Sequence, residues 1–560
     1  MRTLLTTLHS KYIHASLALP YLVAFCQNDC GELIISEQTV HEPKEKLLAK
    51  IIERRPDVVA FSVYLWNRVT TLELVCCLKQ IQPQLKIVLG GPEVSFEKDD
   101  FFNRYPVDAL ICGEGELPLR HLLQCWQSGR PVKPVPGLRL PEAPAQMGSS
   151  QLEDLDGLPS PFAAGLVDLR RGLVYYESSR GCPYKCSFCM SALDDRVRSF
   201  SLERIFADLQ LLIDAEVPQV KFVDRTFNYD NGRSREIFDF ILRRNKSSHF
   251  HFEIGAHLLD DETLRLLEQV PPDVFQFEIG VQSTLPETLQ RIGRQASLDR
   301  LEENVRRLRK AGNIHLHLDL ISGLPGEGYQ QFLKSLDWTA TLRPHHLQVE
   351  PVKLLPGAPL RQQATSLGLK FDPNPPYSIL SSPDISYQEL EQLRGVSRLL
   401  DLLVNSERFK FLLPALLGKF SKLSALLVDL DHYWRSMNLY RGSTHLRDLN
   451  LQLDGYLRAR FSGRELEIYR EALARDCAQS ERVVSGSEPP FFNVELSEEE
   501  RQVVRQRVKQ EVSRMERSGK VQFFAAVFHH LEEGEGRRIL LFLYSSKNGR
   551  RQLSKEIILD

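Results

Sequence analysis

No apolar run in this 560-residue chain approaches the roughly 20 residues that a membrane-crossing helix needs. No charge of one sign is in excess either: 71 Lys and Arg stand against 73 Asp and Glu, for a formal net charge of -2. That excludes a global basic field for nucleic acid, though not a local RNA-binding patch. Cysteine is scarce, ten in all, and gives no disulfide scaffold. Such usage suits a reducing compartment, and a cytoplasmic location is expected. The opening residues carry one positive charge and a very short apolar stretch, so they read as a first strand and not as a secretory signal. Internal repeats and low-complexity tracts are absent. The length exceeds what one core sustains, so several domains are expected.

Against that background, three cysteines crowd into eight residues: Cys182-Pro-Tyr-Lys-Cys186-Ser-Phe-Cys189, following Tyr175-Tyr-Glu-Ser-Ser-Arg-Gly181, a strand end. A 4Fe–4S cluster is held by thiolates and normally takes four. Three would leave one iron with an open position for a substrate or cofactor. The alternative is a structural zinc site, but zinc knuckles pair two short Cys/His hooks and no second hook lies nearby. Cys26 and Cys30, four apart in an apolar helical stretch, read as core residues.

Strand signals at 2–8, 32–35, 57–63, 86–89 and 108–111 alternate with helical patterns at 14–27, 43–54, 67–81, 97–104 and 116–127. Five alternations predict a doubly wound, mostly parallel sheet, whose ligands sit beyond the carboxyl ends of the strands. Those ends carry Ser62 to Asn67 with Trp66, then Gly90-Gly91-Pro-Glu93-Val94, then Gly113-Glu114-Gly115-Glu116. Glycine lets backbone approach a ligand closely, although ordinary tight turns use it too. Prolines punctuate 128–170, a linker that can cross between domains and add a short hairpin. Alternation resumes with strands at 173–178, 218–223, 249–254, 274–281, 315–321 and 346–351 and helices at 201–214, 233–244, 260–268, 298–311 and 328–342. Beyond 361 the chain turns helical, at 387–405, 408–416, 422–436, 443–460 and 464–476. A charged helix follows over 497–519, with Ser497 and Glu500 as a capping box and Gly519 as its stop. The tail alternates as an antiparallel hairpin over 521–529 and 538–545.

The CxxxCxxC spacing with Phe188 before the last cysteine resembles the radical S-adenosylmethionine (radical SAM) superfamily. The three strand-end segments of the first sheet resemble the cobalamin-binding domain that precedes the radical SAM domain in one large subfamily. Residues 361–560 resemble a C-terminal domain of unknown function found on some of its members. The resemblance implies a Rossmann-like cobalamin-binding domain at 1–128, a linker at 129–170, a partial (β/α)6 barrel of TIM type at 171–360, and a mainly helical C-terminal domain with a terminal β-hairpin. It also implies a 4Fe–4S cluster on Cys182, Cys186 and Cys189 with SAM on the open iron. Phe188 would pack near the adenine. Asp224, Arg225 and Thr226 stand where family members hold the SAM amino group. Glu278, Gln282 and Ser283 stand where polar groups meet its ribose or carboxylate, and Asp319, Ile321 and Gly323 belong to the segment that backs its adenine. Cobalamin would lie against Ser62, Trp66, Asn67, Gly90, Gly91, Glu93, Val94, Gly113, Glu114, Gly115 and Glu116. The Asp-x-His-x-x-Gly motif that supplies a lower cobalt ligand in methionine synthase is missing, and His9 and His14 read as loop or helix-start residues near the pocket.

This layout implies reductive SAM cleavage and, with cobalamin above the cluster, methylation of an unactivated carbon. A cyclising or rearranging radical SAM enzyme is the alternative, and a non-catalytic cobalamin or redox sensor a remoter one. A methylthiotransferase is disfavoured, because those enzymes carry three further cysteines in the N-terminal domain. Flavodoxin or ferredoxin would suit as reductant. The substrate is unreadable.

Overall fold

The computed structural model describes every residue except Tyr12, Asp99, 142–147, Asp195, 442–444, 515–520, 532–533, 548–549 and Asp560. The described chain divides into two units, Met1–His345 with Val349–Leu390, and His346–Gln348 with Glu391–Asp560.

In the first unit the early alternation forms strands β1 (Arg2–His9), β2 (Glu32–Thr39), β3 (Val58–Ser62), β4 (Lys86–Gly90), β5 (Ala109–Ile111) and β6 (Leu138–Arg139), ordered β2-β1-β3-β4-β5-β6. The first five pair in parallel. Both faces are covered, as parallel sheets require. Leu4, Val59, Phe61, Ile87 and Leu89 pack with Leu47, Ile51, Leu72 and Val75 on one side. Leu5, Val58, Ala60, Val88 and Ala109 pack with Leu19, Val23, Leu119 and Leu122 on the other. Cys26 and Cys30 are fully buried in that second core. The linker adds β6, two residues paired antiparallel to β5 at the edge, the position to which proline-rich chain is confined, and Ser150 bridges Gly113 beside it. The chain between them, where the expected hairpin would turn, falls at 142–147, outside the described residues.

Strand β7 (Leu173–Tyr176) leads into the cysteine loop. That loop is closed by a short antiparallel ribbon, β8 (Ser179–Arg180) with β9 (Arg198–Ser199). Strands β10 (Gln219–Phe222), β11 (His249–Ile254), β12 (Phe275–Gln282), β13 (His315–Ser322) and β14 (His346–Pro351) complete a second six-stranded sheet, ordered β14-β13-β12-β11-β10-β7. One face is aromatic: Phe222, Phe252, Phe275 and Phe277 form an edge-on and tilted cluster with Phe238 of the helix Asn231–Arg244 and with Phe227. The opposite face is polar. Lys221 of β10 reaches over β11 to Glu278 of β12, so that face is concave. A further two-stranded piece, β15 (Lys370–Phe371) with β16 (Ile379–Ser381), follows.

The second unit carries helices at Leu412–Phe420, Leu423–Ser436, Leu446–Arg460, Gly463–Ser480 and Glu498–Arg514. The helix expected at 408–416 is displaced to Leu412–Phe420. Pro414 then falls in the first turn, where its missing N–H costs no helical hydrogen bond. The expected start at 443 and stop at Gly519 lie outside the described residues. The terminal hairpin, β17 (Gln522–Leu531) with β18 (Gly534–Lys547), is joined by a third strand, β19 (Arg550–Leu559). Its charged sequence hid it, whereas β18 is central and buries Leu540 to Leu543 completely. Among the described residues no helix is long and apolar enough to cross a membrane.

Candidate functional site

The carboxyl ends of both sheets in the first unit open into one cavity of about 1480 Å³. Its wall includes Ser62, Trp66, Gly90, Gly91, Gly113, Glu114, Gly115 and Glu116 from the first sheet's strand ends. It also includes Gly181, Met190 and Ser191, which flank the cysteines, and Val223, Arg225 and Glu253 from the second sheet.

The three cysteines are free thiols in the loop closed by β8 and β9, with Cys182 and Cys186 buried. Polar groups stand against all three. Arg294 Nη1 lies 3.9 Å from Cys186 Sγ, and the Ser191 amide donates to Cys189 Sγ at 3.4 Å. Cys182 Sγ lies 3.4 Å from Thr226 Oγ1. Burial pushes the Cys186 thiol up, and the Arg294 guanidinium works against that shift. Among the described residues no fourth His, Cys, Asp or Glu joins these cysteines in a metal-holding group. Three thiols in one loop are the donor type that an iron–sulfur cluster takes.

On the opposite wall, glycine is required by sterics. At Gly91 (φ +102°) a Cβ would stand 2.6 Å from the Val63 carbonyl oxygen, and at Gly113 (φ +82°) 2.6 Å from Ser149 Cβ. Trp66 is 48% exposed into this space, tethered by its Nε1 donating to Leu8 O at 2.9 Å and stacked on Tyr64. Backbone left bare by glycine beside an exposed indole fits the close approach of a large ring such as a corrin. His9 and His14 line the same cavity, and His14 Nδ1 lies 2.6 Å from the Tyr175 hydroxyl.

A buried ionic lattice joins the two walls. Arg180, next to the cysteine loop, contacts Glu116 at 2.8 Å, Glu177 at 2.9 Å and Glu114 at 3.3 Å. Arg198, paired with Arg180 across the ribbon, contacts Glu114 at 2.5 Å. Burial opposes ionisation of Glu114, yet Arg198 and Arg180 hold its carboxyl below the usual range. At Glu177 burial wins and pushes the carboxyl up.

The other expected contacts divide. Asn67 is fully buried and builds its loop, accepting from the Tyr64 amide at 2.8 Å and donating to Leu8 O at 3.0 Å. Glu93 is buried behind the glycines and accepts from the Tyr377 hydroxyl at 2.8 Å, while Val94 belongs to the core. Asp224 is fully buried and is taken up by the Ser178 amide at 3.0 Å and the Ser178 hydroxyl at 2.6 Å. It braces the strand end, and its neighbour Arg225 reaches the cavity. Glu278 sits on the concave face with His251 at 2.9 Å and Lys221 at 3.4 Å. Burial resists, but these partners bring Glu278 down to about 2. Asp319 faces His317 at 3.1 Å on the same surface, with its carboxyl raised by burial. Gln282 (φ +71°) lies at a register shift between β12 and β13. Ser283 is buried and donates to Glu327 at 2.8 Å. Gly323 (φ +80°) has no room for a Cβ, which would stand 2.8 Å from Ile379, and Ile321 and Phe188 are half-buried.

Sequence reasoning missed Arg180, Arg198, Arg294 and Glu253. Glu253 lines the cavity with its carboxyl pushed up to about 7 by burial and by Glu278. The alternation His-Phe-His-Phe-Glu, which aims every second residue of β11 at the concave face, was the available signal.

Residues 176–339 match the family model of the Radical SAM superfamily, and residues 4–123 match that of the B12 binding domain. The chain thus carries a radical SAM domain and a B12-binding domain. Residues 365–526 match a model described as Protein of unknown function (DUF4080). The Cobalamin-dependent radical SAM methyltransferase TokK of Streptomyces tokunonensis is 30% identical over 363 residues, 60% of this chain and 52% of TokK. The 2-(S-pantetheinyl)-carbapenam-3-carboxylate methyltransferase of Streptantibioticus cattleyicolor is 29% identical over 359 residues, 57% of this chain and 50% of that protein. The chain thus spans about half the length of the curated relatives it matches. In fold it resembles the Cobalamin-dependent S-adenosylmethionine radical enzyme OxsB, solved with aqua-cobalamin and S-adenosylmethionine bound, with a TM-score of 0.60 at 15% identity, covering 92% of this chain and 84% of OxsB. The matched domains imply a 4Fe–4S cluster, SAM and cobalamin as cofactors, in line with the donor set and cavity described above.

Proposed function

We propose that this protein is a cobalamin-dependent radical SAM methyltransferase acting on an unactivated carbon. One observation carries the reading: a single cavity of about 1480 Å³ is walled by the glycine-rich strand ends on one side and by the residues flanking the three cysteines on the other. When bound, the cofactors supply hydrogen abstraction from carbon and a transferable methyl group.

The chain's own residues do the rest. Cys182, Cys186 and Cys189 hold the cluster, and Arg294 steadies Cys186. Gly90, Gly91, Gly113 and Gly115 present backbone to the corrin, with Trp66 at its edge. Arg225 and Glu253, a guanidinium and a carboxyl on adjacent strand ends, line the cavity where they would bind the amino-acid end of SAM. Arg180 and Glu116 keep the two cofactor walls in register and fill space that water would occupy. Domain limits at 1–128, 129–170, 171–360 and 361–560, a reducing cytoplasm as the working compartment, and flavodoxin or ferredoxin as reductant complete the reading.

Anaerobic reconstitution with iron and sulfide tests it, followed by cobalamin quantitation and assay of 5′-deoxyadenosine. The wild type should retain cobalamin and cleave SAM under reduction, and Cys186→Ala should lose iron and cleavage together. Cleavage retained in Cys186→Ala would overturn the ligand assignment. A wild type that cleaves SAM without retaining cobalamin would instead assign the protein to a radical SAM class that does not transfer methyl groups through cobalamin.

A further inference from the structure

A second cavity, about 1330 Å³, lies in the same unit on the far side of the segment Phe96-Glu97-Lys98. These three residues line both cavities, so the two cavities adjoin along this segment. Phe96 is 43% exposed and lies against Gly357 (φ +85°), where a Cβ would meet its ring at 2.6 Å. The glycine therefore lets the loop after β14 close onto the phenyl ring.

The charges of this second cavity do not balance. Three carboxylates line it, and each already has a cation. Glu73 contacts Lys44 at 3.3 Å, Glu97 pairs with Arg68 and Arg104, and Asp100 contacts Arg104 at 3.3 Å. Two lining cations, Lys98 and Arg361, remain outside the ion pairs among the described residues; only the buried Glu93, which accepts from the Tyr377 hydroxyl, acts on Arg361 through space. Arg361 is held in place by other contacts. Its Nη1 donates to Leu354 O at 2.7 Å, and its guanidinium lies over the rings of Tyr377 at 4.6 Å and Phe371 at 5.1 Å. A guanidinium fixed by rings and a carbonyl keeps further N–H donors free in a planar fork, the geometry that suits phosphate and carboxylate.

We propose that this cavity is an anion-binding subsite, taking a phosphate or carboxylate group on Arg361 and Lys98. On the methyltransferase reading, on which only the ligand's identity rests, that group belongs to the substrate, whose reacting carbon lies past Phe96 in the larger cavity. The anionic end is thereby anchored outside the reaction chamber.

Isothermal titration calorimetry of the full-length reconstituted protein with inorganic phosphate, and separately with acetate, tests this without any turnover. Phosphate should bind the wild type. Arg361→Gln should weaken it roughly tenfold, Lys98→Gln by less, and Arg361→Lys should recover only part, because charge returns without the fork. Acetate bound as well as phosphate would assign the group to a carboxylate, and phosphate alone to a phosphoryl group. Iron content and circular dichroism report whether each variant folds, and Lys98→Gln, a change at an exposed side chain, keeps the test available if Arg361→Gln does not. No binding of either ion by the wild type, or binding unchanged in folded Arg361→Gln and Lys98→Gln, would overturn the proposal. Because no SAM is cleaved in this measurement, its failure is separate from failure of the methyltransferase reading.

Discussion

Glu327 keeps its proton where an ordinary carboxyl would have lost it. It is 1% exposed, accepts from Ser283 and Ser335, and burial pushes it up to about 7 from 4.5. Between those two pH values the unfolded chain has released the proton and the folded chain still holds it. The folded state therefore loses stability as pH rises through that window, on the order of 3 kcal/mol if the whole shift is realised. Glu327→Gln removes the titration while keeping an oxygen for both hydroxyls. Its melting temperature relative to wild type should climb between pH 5 and pH 8, and a constant difference across that range would refute the assignment. At this scale the sequence was legible where a site is contiguous. Cys182, Cys186 and Cys189 announce themselves because the ligands share one loop. Asp224 did not, because the groups that consume it, Ser178 and Ser179, lie more than 40 residues earlier and meet it only through the pairing of β7 with β10.

Strand ends set the larger contacts. Gly91→Ala would place a methyl 2.6 Å from the Val63 carbonyl in a left-handed backbone conformation, so the turn after β4 must move. Loss of the corrin's characteristic visible absorbance from purified, cobalamin-loaded Gly91→Ala is expected, with iron content retained. The lattice on Arg180 gives a different outcome. Arg180→Met would strip a buried cation from Glu116 and Glu177, a change that typically costs 3–5 kcal/mol. Thermal unfolding should show the first unit melting earlier, and Arg180→Lys should restore only part, having one ammonium for three carboxylates. The order of strands and helices was readable from hydrophobic alternation, because nearly all strands of both sheets run parallel and each is followed by a helix that covers them. Strand β19 was not, since Arg550, Arg551, Lys555 and Glu556 interrupt its apolar residues before Ile557 to Leu559.

For the whole molecule, two units with separate cores predict separable responses. Cobalamin added to apoprotein should raise only the calorimetric transition of the first unit, by the mass-action stabilisation any ligand gives the state it binds. A transition of the second unit that rises equally would contradict confinement of the site to the first. The C-terminal domain was visible in the sequence as helices, but its chemistry was not, since periodicity reports burial and says nothing of a ligand. The ribbon of β8 and β9 has a consequence for how the metal centre is held. By pinning Ser179 to Ser199 and Arg180 to Arg198, it ties the ends of the cysteine segment together by backbone pairing alone. Part of the entropy of ordering that loop is met by the ribbon and not by the metal ligands. How firmly the cluster is held therefore depends on the ribbon as well as on the three thiolates.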